Sequence, residues 1–189
     1  MRRPNVQLCL LALCVSLGLS PWFSVSAVGP EIQVAWGLSS GQLAWLTMAV
    51  QLGFVMGTLV SAILNLPDRI SAQWLMASCA AVAAVANATI VLGCSDVFGK
   101  TEAGYYTVLF LRLVIGVAMA GIYPPGMKLV ASWFKARRGF AIGVLVGALT
   151  IGSASPHLLL ALPLGEWFAQ VEVDFPVWRL ELLVVSLAA

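Results

Sequence analysis

Charged side chains are scarce in this sequence of 189 residues, of which only 10% are Asp, Glu, Lys or Arg. An ordinary soluble domain carries about 25%. Apolar residues make up 61% of the chain, which is more than a water-soluble protein of this length could bury, so most of the chain is expected to lie in lipid. The net charge of +2 is too small to indicate a nucleic-acid partner, and no basic tract is interleaved with aromatic residues.

Cysteine is also sparse, and its placement indicates no disulfide framework and no metal site. The four cysteines all fall within apolar runs and form no C-x-x-C pair. Such residues are interpreted as small buried hydrophobes. The sequence therefore predicts no metal and no cofactor. The four cysteines are Cys9, Cys14, Cys79 and Cys94.

Six apolar stretches follow one another along the chain, separated by short polar breaks. A transmembrane helix needs about 20 residues, and the first five stretches meet this requirement. The sixth has only about 13 residues, or ~20 Å of helix, too short to cross alone. The sequence therefore predicts an all-α membrane protein, with a chain that stops inside its sixth helix as a fragment or truncated reading frame would. The stretches are approximately 6–28, 43–64, 73–95, 105–132, 139–163 and 177–189.

Basic residues in alternate loops predict the orientation of these helices. The N-terminal side of the membrane carries Arg2, Arg3, Arg69, Lys135, Arg137 and Arg138, whereas the opposite side carries Lys100 and Arg179. The positive-inside rule then places the N-terminus in the cytoplasm. We expect a multi-pass protein of the plasma membrane or the cell inner membrane. A cleavable signal peptide ending near Ala27 is an alternative for the first stretch, and it would leave the other helices in the same orientation.

Small residues and prolines inside the stretches predict how the helices pack. Gly53, Gly57 and Ser61 repeat at four-residue spacing, which places them on one helix face and allows close approach of two backbones in lipid. Gly139, Gly143 and Gly147 form a second stripe of the same kind. Prolines are expected to interrupt the first, fourth and fifth stretches, at Pro21, Pro124–Pro125 and Pro156.

Three segments resemble signatures of the major facilitator superfamily. Asp68-Arg69 matches the centre of its loop motif G-x-x-x-D-R-x-G-R-R, and Arg112 to Ala120 resembles R-x-x-x-G-x-G-x-A, with Ala118 in place of the second glycine. The segment Trp133 to Gly139 is similar to its basic loop W-F-x-x-x-R-G. The resemblance implies that the whole chain, residues 1–189, is the N-terminal six-helix half of a twelve-helix transporter, and that its partner is a missing C-terminal half.

The resemblance also implies a function and a mechanism. Members of this superfamily move small solutes across the bilayer by secondary active transport, in which two six-helix halves rock about a site near the midplane. A proton gradient is one candidate driving force. By the same resemblance, Asp68 and Arg69 would brace the cytoplasmic side against the other half.

Polar side chains within the stretches indicate where a solute would bind. Arg112 lies inside the fourth stretch, where a charge is costly unless it faces water or a partner. Gly116 and Tyr123 share its helix face. His157 lies at nearly the same depth, as do Ser20 and Ser24 of the first stretch. The candidate residues for substrate binding or coupling are therefore Arg112, Gly116, Tyr123, His157 and Gln51.

The charges inside the membrane predict the class of solute. No Asp or Glu lies within the five complete stretches, whereas a carrier of organic cations needs a buried carboxylate because an unpaired cation is costly there. The guanidinium of Arg112 is suited to oxyanions. The sequence therefore favours an anionic or neutral solute.

Two other functions compete with transport. A six-helix membrane scaffold or signalling protein would show the same hydropathy without moving a solute. A hydrolase is indicated only by Gly37-Leu38-Ser39-Ser40-Gly41, which matches G-x-S-x-G. That motif requires a strand–turn–helix context, whereas here it precedes a transmembrane helix. Ser39 or Ser40 is better explained as the N-cap of that helix, and we predict that the protein is not an enzyme.

Overall fold

Helices make up nearly all of the chain that the computed structural model describes, which is residues 4–93, 101–161 and 177–188. Within these ranges there is no β-strand. The prediction of an all-α membrane protein is confirmed. The helices are α1 (Pro4–Ala27), α2 (Gly29–Trp36), α3 (Ser40–Ile63), α4 (Leu66–Arg69), α5 (Ala72–Gly93), α6 (Glu102–Met119), α7 (Tyr123–Trp133), α8 (Arg138–Ala161) and α9 (Val177–Ala188).

Five helical segments are long and apolar enough to cross a membrane. Each overlaps one of the first five apolar stretches, although the ends of the third and fifth stretches lie outside the described residues. The fourth segment consists of two helices, α6 and α7, which are joined by a short turn. The segments are Pro4–Ala27, Ser40–Ile63, Ala72–Leu92, Glu102–Trp133 and Arg138–Leu158.

The helices pair with partners that are distant in the sequence. The most extensive contacts join α3 to α6, α1 to α8 and α5 to α6, and α9 packs against α5 and α1. The first span is therefore paired with the fifth, and the fourth span packs against both the second and the third. Such pairing places α1, α3, α7 and α8 around one side of the bundle, where they surround the cleft described below.

The contact between α3 and α6 depends on glycine. A Cβ added to Gly53 would lie 2.2 Å from the carbonyl oxygen of Leu113, and a Cβ added to Gly116 would lie 2.1 Å from that of Val50. Both distances are too short for any side chain. The packing predicted for the stripe that includes Gly53 is thus confirmed. By contrast, a Cβ added to any glycine of the second stripe would meet no atom of the described chain within 4 Å.

Two of the prolines do not interrupt their helices, contrary to expectation. Helix α1 continues through Pro21, and α8 continues through Pro156. A proline leaves the carbonyl four residues earlier without its amide donor. In α1 the hydroxyl of Ser20 donates to the Leu17 carbonyl at 2.7 Å, and in α8 the hydroxyl of Ser155 donates to the Gly152 carbonyl at 2.8 Å. A serine hydroxyl therefore replaces the missing amide in each helix.

The G-x-S-x-G segment forms a helix start. The Ser39 hydroxyl accepts a hydrogen bond from the Gln42 amide at 3.2 Å, and the Gln42 side chain accepts one from the Ser39 amide at 2.9 Å. These reciprocal bonds are a capping box. The N-cap prediction is confirmed at Ser39, whose hydroxyl is engaged in capping α3 rather than in a catalytic arrangement.

Candidate functional site

A cleft of about 310 Å³ lies between α1, α3, α7 and α8. Its volume is at the lower end of the range for small-molecule sites, about 300–1,000 Å³. Half of its lining residues are aromatic, so we call it the aromatic cleft. Its lining residues are Leu19, Trp22, Phe23, Phe54, Tyr123, Leu149, Thr150 and Ser153.

The aromatic wall is built by α1 and α3. The ring of Trp22 stacks on Phe23 with centroids 5.8 Å apart and an interplanar angle of 13°. Its other neighbour is Phe54, with centroids 4.8 Å apart and the rings tilted by 50°. These separations lie in the range of favourable aromatic pairs. The three rings hold one another in place and are only partly buried, so they present ring surface to the cleft.

Hydroxyl groups face this wall from α7 and α8. The Thr150 hydroxyl donates to the Val146 carbonyl at 3.1 Å, and the Ser153 hydroxyl donates to the Thr150 carbonyl at 2.7 Å. Because these protons are engaged, both oxygens can act only as acceptors for a ligand. The hydroxyl of Tyr123 has no hydrogen-bond partner within the described part of the chain, so it can donate and accept.

Arg112 lies behind the aromatic wall, not in the cleft. Its side chain is fully buried, and it donates to the carbonyl of Pro21 at 2.8 Å and to that of Trp22 at 2.7 Å. A third bond of 3.3 Å reaches the Leu46 carbonyl on α3. The guanidinium therefore joins α6 to α1 and α3 through neutral carbonyl groups.

The other predicted site residues lie in three different places. Gly116 is buried at the backbone contact with α3, where it leaves no room for a ligand. Tyr123 lines the aromatic cleft. Gln51 and His157 are exposed, and each shares a helix face with a lining residue, because Gln51 precedes Phe54 by three positions and His157 follows Ser153 by four. They extend the same side of the bundle without lining the cleft.

Sequence reasoning missed the remaining lining residues, including Phe54, Thr150 and Ser153. An apolar span contains many aromatic and hydroxyl residues, and only the packing of four helices selects those that meet. One signal was available, since Thr150, Ser153 and His157 repeat at three- and four-residue spacing and so share a face of α8.

A second set of polar residues, missed as a group, joins α1, α5 and α9. Asn87 is fully buried. Its amide donates to the Ser186 hydroxyl at 2.9 Å and to the Leu182 carbonyl at 3.1 Å. Its oxygen lies 3.2 Å from the Ser24 hydroxyl, whose single proton is shared between Asn87 and the Pro21 carbonyl at 2.9 Å. We call Ser24, Asn87 and Ser186 the Asn87 cluster. Every polar side-chain atom of Asn87 is engaged within the protein, so the cluster holds helices together and offers no group to a solute.

The loop motif contacts α7. Lys128 pairs with the carboxylate of Asp68 and donates to the Pro67 carbonyl at 3.1 Å. The two charged side chains are 50% and 70% exposed, so water screens their attraction and the pair contributes little stability. Arg69 is exposed and has no side-chain partner in the described residues. The bracing role of Asp68 and Arg69 stays a prediction.

A larger cleft of about 490 Å³ lies between α1, α5 and α7 and reaches Ala188, the last described residue of α9. Gln7 and Gln73 are the lining residues with carboxamide groups, and most of the other lining residues are apolar. The aromatic cleft is the better candidate for a solute, because helices from the first, second, fourth and fifth spans surround it and half of its lining residues are aromatic, whereas the larger cleft is lined mostly by aliphatic side chains.

The comparisons with known proteins agree with this architecture. The family model of the Major Facilitator Superfamily matches residues 8–188. The chain belongs to the major facilitator superfamily. It is also similar to the crystal structure of a bacterial homologue of the human lysosomal transporter Spinster, in an inward-facing and occupied conformation, with a TM-score of 0.76 and 18% sequence identity. That similarity shows the fold, and the family prediction made from the sequence is confirmed.

The matched length describes how much of a major facilitator protein this chain represents. The structural alignment covers 98% of this chain but 42% of the Spinster homologue, so the chain spans less than half of that relative. The family and the apolar helices make the chain a multi-pass integral membrane protein. They point to a transporter and not to an enzyme.

Proposed function

We propose that the protein containing this chain moves a small anionic or neutral solute across the bilayer by secondary active, alternating-access transport. The observation that carries the proposal is the aromatic cleft, because helices from both the first three and the last three spans of the chain surround it. Sites at such repeat interfaces are typical of transporters. The charge of the solute is argued from the five long apolar helices, which carry no Asp or Glu beyond their first turn.

Arg112 and the glycine contact would make part of this half move as a unit. The guanidinium joins α6 to α1 and α3, and Gly53 and Gly116 bring α3 and α6 together. Arg112 then acts on the solute through the position of Trp22 and not by touching it. Tyr123, Gln51 and His157 remain the sequence-predicted residues that a solute or a coupling proton could reach.

The orientation proposed for this half follows from its basic loops. The N-terminus and the loop from Trp133 to Gly139 would face the cytoplasm. Asp68, Arg69 and Lys128 would lie at the same side, where Asp68 and Arg69 would brace this half against a C-terminal half.

Uptake into proteoliposomes tests the proposal. The complete protein should accumulate a labelled solute, and dissipating the proton gradient should reveal whether protons drive it. Phe54→Ala should lower uptake about 3- to 10-fold, because the ring contributes the ~0.5–1.5 kcal/mol of an aromatic pair to the wall that holds the solute. Phe110→Ala is the matched control, because Phe110 is 64% exposed on α6.

The alternatives make different predictions in the same assay. A folded protein that moves no solute under any gradient would contradict transport and favour a membrane scaffold or signalling protein. Residues 1–189 expressed alone should insert but transport nothing, because rocking requires a second half. Robust uptake by the chain alone would instead indicate a homodimer of six-helix units. A serine-directed probe that labelled Ser39 would favour the hydrolase.

A further inference from the structure

We propose that the solute bound by the aromatic cleft is uncharged and has a flat, apolar face, such as a neutral aromatic amide. This inference rests on the proposed transport function and narrows its solute class from anionic or neutral to neutral. It is argued from the charge, the hydrogen-bonding groups and the rings of the cleft.

The cleft has no charged side chain among its described lining residues. The buried cation behind its wall is Arg112, and the hydrogen bonds of this guanidinium go to the carbonyls of Pro21, Trp22 and Leu46. A solute carboxylate would have to break these bonds and pass the wall formed by Trp22. The sequence favoured an anion because of Arg112, but in the structure the hydrogen-bond donors of Arg112 already bind carbonyl groups of the protein.

The neutral polar groups of the cleft cannot compensate a full charge. A carboxylate accepts about four hydrogen bonds, whereas Thr150 and Ser153 present oxygens whose protons are already donated to helix carbonyls. Among the lining residues that the structure describes, the side-chain donors without a partner in the protein belong to Tyr123 and Trp22. An anion bound here would lose water without gaining enough donors. A neutral amide or alcohol needs one or two donors and acceptors, which the cleft supplies.

The rings alone would also attract a cation through their faces. A cation taken out of water also needs a carboxylate to pair with, and the five apolar helices carry no Asp or Glu beyond their first turn. The faces of the rings alone do not offset the cost of desolvating an ammonium group.

The arrangement of rings indicates the shape of the solute. Trp22 and Phe23 are nearly parallel, with an interplanar angle of 13°, and Phe54 closes the side of Trp22. A planar ring can stack on such a wall at a separation that a bulky aliphatic group does not reach. The volume of about 310 Å³ admits a solute with one or two rings.

Four small probes separate charge from shape. Benzamide is neutral and flat, benzoate and benzylammonium carry the same ring with one negative or one positive charge, and acetamide is neutral without a ring. Their binding to the complete protein in nanodiscs at pH 7 can be measured by competition against labelled benzamide. Benzamide should bind at least about tenfold more tightly than benzoate and benzylammonium, since burying one unpaired charge costs more than the ~1.4 kcal/mol that a tenfold change represents. It should also bind at least about tenfold more tightly than acetamide, which lacks the apolar ring.

Variants of the wall show whether the cleft is the binding site. Phe54→Leu and Trp22→Leu should each weaken benzamide binding about 3- to 10-fold, the effect of losing an aromatic pair. Trp74→Leu is the control, because Trp74 lies on α5 and is 76% exposed. Size-exclusion chromatography identifies a variant that does not fold. If Trp22→Leu does not fold, benzamide binding is compared between Phe54→Leu and the unchanged protein alone.

The outcomes separate this inference from the proposed function. Benzamide preference that depends on Phe54 supports the inference, and if uptake is then absent, transport is contradicted while the neutral site stands. Tighter binding of benzoate or benzylammonium overturns the inference, even where uptake is robust. Binding of none of the four probes, or benzamide binding that neither wall variant changes, overturns it as well.

Discussion

The Nη2 atom of Arg112 on α6 donates a hydrogen bond of 2.7 Å to the main-chain carbonyl of Trp22 on α1. The ring of Trp22 is a wall of the aromatic cleft, so a charge on one helix fixes the backbone that positions the ring on another. Pro21 takes part in the same contact, since its carbonyl accepts both from Arg112 and from the Ser24 hydroxyl. The charge therefore belongs to the scaffold of the site.

The first prediction concerns this guanidinium. Arg112→Lys keeps the charge but has no planar fork to reach two helices at once, and Arg112→Met removes every donor. Hydrogen bonds to charged groups contribute about 1.5–3 kcal/mol each, so we expect the free energy of unfolding to fall by roughly 2–4 kcal/mol in both variants, and uptake to fall with it. Thermal unfolding followed by size-exclusion chromatography measures the first effect. Lys135→Met, in an exposed loop, is the control and should change neither quantity. Undiminished uptake by Arg112→Ala would show that transport does not depend on the Arg112 guanidinium.

The second prediction concerns the glycine contact. Gly53→Ala and Gly116→Ala place a methyl group within 2.2 Å of a facing carbonyl oxygen, so α3 and α6 must separate. Overpacking of this kind costs about 1–3 kcal/mol, which should lower the melting temperature by several degrees. Gly139→Ala has open space around its Cβ and should leave the melting temperature unchanged. Equal effects at all three positions would indicate a general intolerance of the helices and not a backbone contact.

The third prediction concerns the Asn87 cluster. Asn87→Leu removes the buried hydrogen bonds that join α5 to Ser24, Leu182 and Ser186, at a cost of about 1–3 kcal/mol, although Ser24 keeps its bond to the Pro21 carbonyl and Ser186 keeps its bond to the Leu182 carbonyl. Because α9 is joined to α5 through these bonds, we expect faster proteolysis of α9 before global unfolding. Thr89→Val removes an exposed hydroxyl from the same helix and serves as the control. A stable α9 in the Asn87 variant would show that apolar packing alone holds it.

The fourth prediction concerns topology. In a background without cysteine, Lys135→Cys should resist an impermeant maleimide added to intact cells, while Glu102→Cys should react. The reason is the excess of basic residues on the side of Lys135. Permeabilised cells provide the control, since both positions should then label. The reverse pattern in intact cells would contradict the cytoplasmic N-terminus.

The fold could be predicted from the sequence because lipid imposes simple rules on it. Apolar length indicates a spanning helix, and four-residue spacing of small residues located the contact made by Gly53. Proline was a less reliable signal. At Pro21 and Pro156 the preceding serine supplies a donor, so the helix continues, whereas Pro124 and Pro125 lie in the first turn of a new helix, α7.

The site could be predicted only in part. Tyr123, which the sequence singled out, lines the aromatic cleft, and its contact with a solute stays a prediction, while the solute contact predicted for Arg112 came from its charge alone. Sequence shows that a charge in a span needs a partner, and it does not show whether that partner is a solute or a carbonyl. Here the partners of Arg112 are carbonyl groups on two other helices, those of Pro21, Trp22 and Leu46. No local sequence pattern predicts such a contact.

In α1 and α8 a serine hydroxyl takes the place of the main-chain amide that proline lacks, so each helix contains one turn that is closed by a side chain. A main-chain hydrogen bond breaks only when the backbone itself moves, but the bonds from Ser20 and Ser155 depend on one side-chain torsion each. Both helices flank the aromatic cleft, and they touch where Gly152 meets the Ser16 carbonyl. The last hydrogen bond at each proline therefore depends on a serine rotamer, and Ser20→Ala or Ser155→Ala would leave the carbonyl of Leu17 or Gly152 without that donor.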